Sequence, residues 1–248
     1  MVMPLYDDNP FKLPHRPIVT WLLIAANLLV FLVELSSGNP EGLVVHYGLT
    51  PGALSGDITI PGAPAATLTL VSYMFLHADW MHIFGNMIFL WVFGDDIEEC
   101  LGRWKYLGFY LACGVIGGLV FAVNDLHAQT PLIGASGAIA GIVIAYVMLR
   151  PCAKVTVLMF GIPMRISAYW VIGLFVFIQL VNLSSASKSD VAYWCHFGGM
   201  VAAAVLFPFI RPAGVKLFEC IRPTKTPAVV TAQMPNSSHL PGAPHGGG

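Results

Sequence analysis

The apolar residues of this chain stand in long blocks, not at the alternating or heptad spacing of a soluble core. A helix needs roughly 20 mostly apolar residues to cross the hydrocarbon of a bilayer. Six blocks approach that length. They predict helices over Ile18 to Leu35, about Trp80 to Glu98, about Tyr106 to Val123, about Leu132 to Leu149, about Ile166 to Val181 and about Val191 to Ile210. The second becomes amphipathic towards its end. Two stretches fall outside the pattern. Ser37 to Ala66 is rich in Gly, Pro and Thr and reads as a long loop with short interfacial pieces. Val155 to Met164 is apolar but short and broken by Gly161 and Pro163, which places it at the membrane interface before the fifth helix. Beyond Arg211 the chain turns to Pro, Gly, Ser and Thr, a composition that buries no core. The expectation is an all-α polytopic membrane protein. It comprises an N-terminal segment at 1–16, a six-helix bundle at 17–211 and a disordered tail at 212–248.

Composition agrees with the blocks. Of the 248 residues, 56% are hydrophobic and 10% charged, where a soluble domain carries about a quarter charged residues. The mean hydropathy is +0.74. A net charge of −1 gives no reason to expect a nucleic-acid partner. Cys100, Cys113, Cys152, Cys195 and Cys220 are scattered, odd in number and without CxxC spacing. They read as small apolar residues, not as a disulfide framework or a zinc site. The N-terminal "MVMPLYDDNPFKLPHRP" is polar and proline-broken, and no small-residue cleavage site follows it. The first block is therefore expected to remain as a spanning helix.

Charge orients the bundle. Lys and Arg collect in cytoplasmic loops. With the N-terminus inside, eleven of the 12 Lys and Arg face the cytoplasm and only Lys188 faces out. The same count places both termini inside and fits a bacterial plasma membrane, as it would other membranes. It also puts the Ser37–Ala66 loop, the start of the second helix, Ser136 and the start of the sixth helix together on the outer side.

Polar residues at membrane depth are costly and point to function. At the outer ends of the predicted helices stand His77, His82 and Asn86 in "HADWMHIFGN", Ser136 in "GASGAIAG" and His196 in "AYWCHFGG". Ser136 lies about one turn into the fourth helix. His196 lies six residues beyond Asp190, roughly 9 Å along the axis. A serine hydroxyl is a weak nucleophile until a base takes its proton, and His196 is the candidate base. Gly137 and Gly141 on the fourth helix, with Gly199 and Ala203 on the sixth, form small-xxx-small surfaces that let backbones approach closely. His82 and Asn86 share a helix face at i, i+4. They suit an oxyanion pocket in which the Ser136 amide is a third donor. Each residue also has a plainer reading: Ser136 as a packing residue, His196 as a bundle-facing structural histidine, His82 and Asn86 as interhelical hydrogen-bond partners. A metal site from His77, His82 and His196 lacks an acidic or thiolate ligand.

These residues resemble the rhomboid family of intramembrane serine proteases. The HxxxxHxxxN pattern falls on His77, His82 and Asn86. The GxSG pattern falls on Gly134, Ser136 and Gly137, and the last-helix histidine with its following glycine on His196 and Gly199. The resemblance covers about Pro17 to Arg211. It implies a Ser136–His196 dyad without a carboxylate member and an oxyanion hole from His82, Asn86 and the Ser136 amide. It further implies single-span membrane proteins as substrates, cut near the outer face, with no cofactor, no metal and no nucleic acid. Three positions depart from the family pattern. Ala140 stands where many relatives carry an aromatic residue against the histidine, which leaves Tyr146 or Trp194 to hold the ring. No arginine lies between Arg16 and Arg103 to complete the first-loop Trp-Arg pair. Ala203 replaces a common glycine. A catalytically silent relative that binds membrane helices is the alternative, although such relatives usually lose the serine or the histidine and this chain keeps both. For a transporter or channel, no inverted repeat or matching pair of broken helices is evident.

Overall fold

The computed structural model describes residues 2–7, 16–159, 161–184 and 193–220. Each of the six predicted segments overlaps a helix, the start of the sixth at Val191 lying outside the described residues. α1 spans Ile18–Ser36, α5 Trp80–Leu101, α6 Arg103–Asn124, α7 Ser136–Leu149, α8 Ala168–Ser184 and α9 Tyr193–Ile210. By length and hydropathy α1, α6 and α9 are able to cross a bilayer, while α7 and α8 are shorter apolar helices. α5 has 22 residues, but Asp95, Asp96, Glu98 and Glu99 crowd its last turns. The long first loop folds into the predicted short pieces: α2 (Pro40–Tyr47), α3 (Pro51–Ser55) and α4 (Thr69–Ser72), the last running into a 3-10 turn at Tyr73–Phe75. At its rim Asp57 accepts a hydrogen bond from His127 of the α6–α7 loop. That bond holds the Asp57 carboxyl below the usual carboxylate range.

The acids at the end of α5 have structural work. Glu98 reaches the start of α1 and accepts from the backbone N–H groups of Val19 (2.9 Å) and Thr20 (2.8 Å). A helix leaves its first N–H groups without internal partners and favours negative charge there. Thr20 Oγ1 also donates to Glu98 at 2.9 Å. Asp96, whose side chain is fully buried, accepts from Arg150 Nε at 3.0 Å. Asp96 is paired with a cation, and Glu98 is satisfied by hydrogen bonds from the start of α1.

The chain is not all-α. β1 (Val2–Asp7), β2 (Lys154–Met159) and β3 (Ile162–Ser167) form an antiparallel sheet in the order β1-β2-β3. The Val155–Met164 stretch, expected as an irregular interfacial piece, is therefore a hairpin whose turn lies at Gly161. β-branched Val155, Thr156 and Val157 stand together on its first strand, and the N-terminal strand completes its hydrogen bonding, Val2 opposite Met159 and Asp7 opposite Val155. Tyr146 Oη of α7 donates to Asp7 Oδ2 at 2.6 Å, which ties the sheet to the bundle.

Cys152 and Cys220 are joined by a disulfide, a correction to the reading of all five cysteines as apolar filler. The segment after α9 folds back beneath α7, where Phe218 N–H donates to Met148 O at 2.7 Å, and this brings the two thiols together. Among the described residues Cys100, Cys113 and Cys195 are free. Residues 221–248, most of the predicted disordered tail, lie outside the described residues.

α7 is the centre of the bundle. From Gly137 to Val143 every side is buried, and α9, α6 and α5 surround it. Lipid tails are as apolar as leucine, so such a helix is held by close packing and hydrogen bonds.

Candidate active site

Ser136 is the first residue of α7, not one turn inside it. The residues before it are committed elsewhere. Leu132 exchanges backbone hydrogen bonds with Leu49 at 2.9 and 3.0 Å, and Gly134 N–H donates to Tyr73 O at 2.9 Å. Gly134 has φ +114°, outside the helical region and open to glycine. A Cβ there would also stand 2.6 Å from His82 Nε2. The strap thus delivers Ser136 at the helix N-terminus, where its N–H has no intrahelical acceptor and the helix dipole favours negative charge.

His196 lies in the first turn of α9 and is buried. Its Nε2 is 2.7 Å from Ser136 Oγ. Small residues make this approach possible. A Cβ on Gly199 would collide with the Gly137 carbonyl, and one on Gly141 would stand 2.6 Å from Cys113 Sγ and 3.1 Å from Gly199 O. Gly137, Gly141 and Gly199, the residues predicted to permit close packing, all lie at crowded contacts, and Ala203 is fully buried beside them.

On the facing side, Asp79 caps α5 by accepting from His82 N–H at 2.8 Å. This starts the helix so that His82 and Asn86 look towards Gly134. His77 lies in the loop just before α5. Asn86 Nδ2 donates to His77 Nε2 at 2.9 Å, and the rings of His77 and His82 meet edge-on with centroids 5.0 Å apart. The His77 backbone N–H donates to Glu34 Oε2 at 3.3 Å. The structure therefore brings together His77, His82, Asn86, Gly134, Ser136 and His196.

Two residues here were not singled out from the sequence. Glu34, buried at the end of α1, anchors the His77 loop. Gln179 of α8 places Oε1 2.9 Å from His196 Nδ1. Neither belongs to a local motif. The sequence signal was that Glu34 is the one carboxylate in α1 and that Gln179 is one of the few polar residues in α8. The ring of His196 is not held by Tyr146 or Trp194. Tyr146 is turned to Asp7 and Phe93, and Trp194 pairs with Phe197. Beside the ring stand Gln179 and Tyr193, the latter edge-on at 6.2 Å. Ala140, where an aromatic was missed, is buried within the bundle.

Chemically, the pair has the arrangement of a hydroxyl and a general base in hydrogen-bond contact. His82 and Asn86 lie against Gly134, two residues before Ser136. Residues 64–212 match the family model described as Rhomboid domain. The chain belongs to the rhomboid family. The matched region of this rhomboid includes all six residues gathered above, as well as Gln179, while Glu34 lies before it. "RHOMBOID-like protein 12, mitochondrial" of Arabidopsis thaliana is 32% identical over 161 residues, covering 58% of this chain and 46% of that protein. "Rhomboid protein 1, mitochondrial" of Saccharomyces cerevisiae is 28% identical over 154 residues, 59% of this chain and 42% of that protein. "Rhomboid-type serine protease 2" of Emericella nidulans is 32% identical over 93 residues, 38% of this chain and 18% of that protein. The chain thus spans less than half the length of each of these relatives. Apolar helices and family membership make it a membrane protein. Two of the relatives are mitochondrial by name, which does not match the bacterial plasma membrane expected from charge counting.

Proposed function

We propose that this rhomboid is a serine endopeptidase that cleaves single-span membrane proteins within the bilayer, near the face where α7 and α9 begin. The observation that carries the reading is the 2.7 Å approach of His196 Nε2 to Ser136 Oγ. In this reading His196 takes the hydroxyl proton and Oγ attacks the substrate carbonyl. His82, Asn86 and the Ser136 amide donate to the developing oxyanion, and His77 holds Asn86. His196 then protonates the leaving amine, and water completes deacylation. The substrate helix unwinds locally, because a helical carbonyl is already hydrogen-bonded and shielded. A serine protease named among the relatives supports the same chemistry.

The arrangement in the membrane follows from the charges. Six crossings over 17–211 leave both termini and eleven of the 12 Lys and Arg on one side, and the dyad opens to the other.

Labelling by a fluorophosphonate and cleavage of a model single-span substrate in detergent test the reading. Wild type is expected to label and to cleave. Ser136→Ala is expected to do neither while retaining its thermal melt. Equal cleavage by Ser136→Ala overturns the reading, and a wild type that never labels favours the catalytically silent alternative.

A further inference from the structure

α8 is the most outward-facing of the apolar helices. Trp170 (66%), Phe177 (63%), Leu180 (45%) and Val181 (47%) are all exposed. The buried positions are Ala168, Ile172 and Gln179, which share one face. Gln179 is thus a polar side chain turned into the bundle from a helix whose outward face is mostly apolar. An amide without a partner at such depth is costly. Its partner is the ring of His196, with Oε1 2.9 Å from Nδ1.

The two ring nitrogens of His196 have separate partners, and a neutral imidazole carries one proton. If Nδ1 holds it, Nδ1–H donates to the Gln179 carbonyl and the Nε2 lone pair is free to accept the Ser136 hydroxyl proton. If Nε2 holds it, that nitrogen donates to Oγ and cannot act as a base. The hydrogen bond made by one nitrogen selects the state of the other. We infer that Gln179 is a positioning residue that holds His196 in the Nδ1–H form, so that readiness of the base is set from α8. This rests on the dyad reading above. The structure gives Gln179 the place that a carboxylate occupies in a three-membered triad, with a dipole in place of a charge.

The test has a readout independent of turnover. Nitrogen-15 NMR of selectively labelled His196 in the full chain reports which nitrogen carries the proton. Wild type is expected in the Nδ1–H form, and an Nε2–H wild type overturns the inference without any variant. Gln179→Leu and Gln179→Met remove the acceptor at similar volume. Either is expected to mix or invert the tautomer and to lower kcat about 10- to 100-fold with KM little changed, below the roughly 10⁴-fold loss known for a wrong tautomer in a charged triad. Gln179→Glu restores an acceptor and is expected to recover kcat. An Nδ1–H ring and unaltered kcat in both Leu and Met variants overturn the inference. The dyad reading fails differently: wild type and Ser136→Ala would then match in cleavage, whatever Gln179 does.

Discussion

α7 and α8 are both short apolar helices, yet one is enclosed on every side and the other faces outward. The difference lies in side-chain size. α7 opens with Ser136, Gly137, Ala138, Ile139, Ala140 and Gly141, so neighbouring backbones close on it. α8 carries Tyr169, Trp170 and Phe177, bulky side chains that face outward. Small residues buy proximity in a bilayer, where burial of apolar area does not drive helix association. The consequence for chemistry is a division of the His196 ring. Nε2 meets a hydroxyl on the enclosed helix, and Nδ1 meets an amide on the outward one.

Three substitutions probe this contrast, in order of expected effect. Gly199→Val forces a branched side chain into the Gly137 carbonyl on the enclosed side. A cost of about 3 kcal/mol or more is expected, read as a lowered Tm in detergent together with loss of fluorophosphonate labelling. Asn86→Ala leaves the enclosed contact intact and removes one oxyanion donor of several. A drop in kcat of about 10- to 100-fold is expected, at or below the loss typical of a single donor, with a lowered Tm from the buried hydrogen bond that His77 loses, about 1–3 kcal/mol. Phe177→Leu changes only the outward face of α8. Stability is expected to stay within about 0.5 kcal/mol, and substrate cleavage within twofold. A large loss from Phe177→Leu, or none from Gly199→Val, would erase the contrast.

Much of this was readable from the chain because it is local. Block length located the helices, and small residues one turn apart marked Gly137, Gly141 and Gly199 as contact points. The i, i+4 spacing set His82 and Asn86 on one face. What escaped is non-local. β1 pairs with a hairpin about 150 residues away, and neither strand alone has enough length or alternation to announce the sheet. Cys152 and Cys220 are separated by 68 residues and carry no spacing signal. Gln179 and Glu34 act through tertiary contacts only. The start of α7 was misplaced because apolarity runs on through Leu132 and Ile133, while backbone hydrogen bonding to Leu49 and Tyr73 and the φ of Gly134 stop the helix at Ser136.

The Cys152–Cys220 bridge closes a covalent ring around α8 and α9. His196 and Gln179 ride inside that ring, and Ser136 and the oxyanion donors ride outside it. A chain nicked anywhere between the two cysteines therefore keeps its histidine tethered to its serine, and migrates as one molecule until a reductant is added.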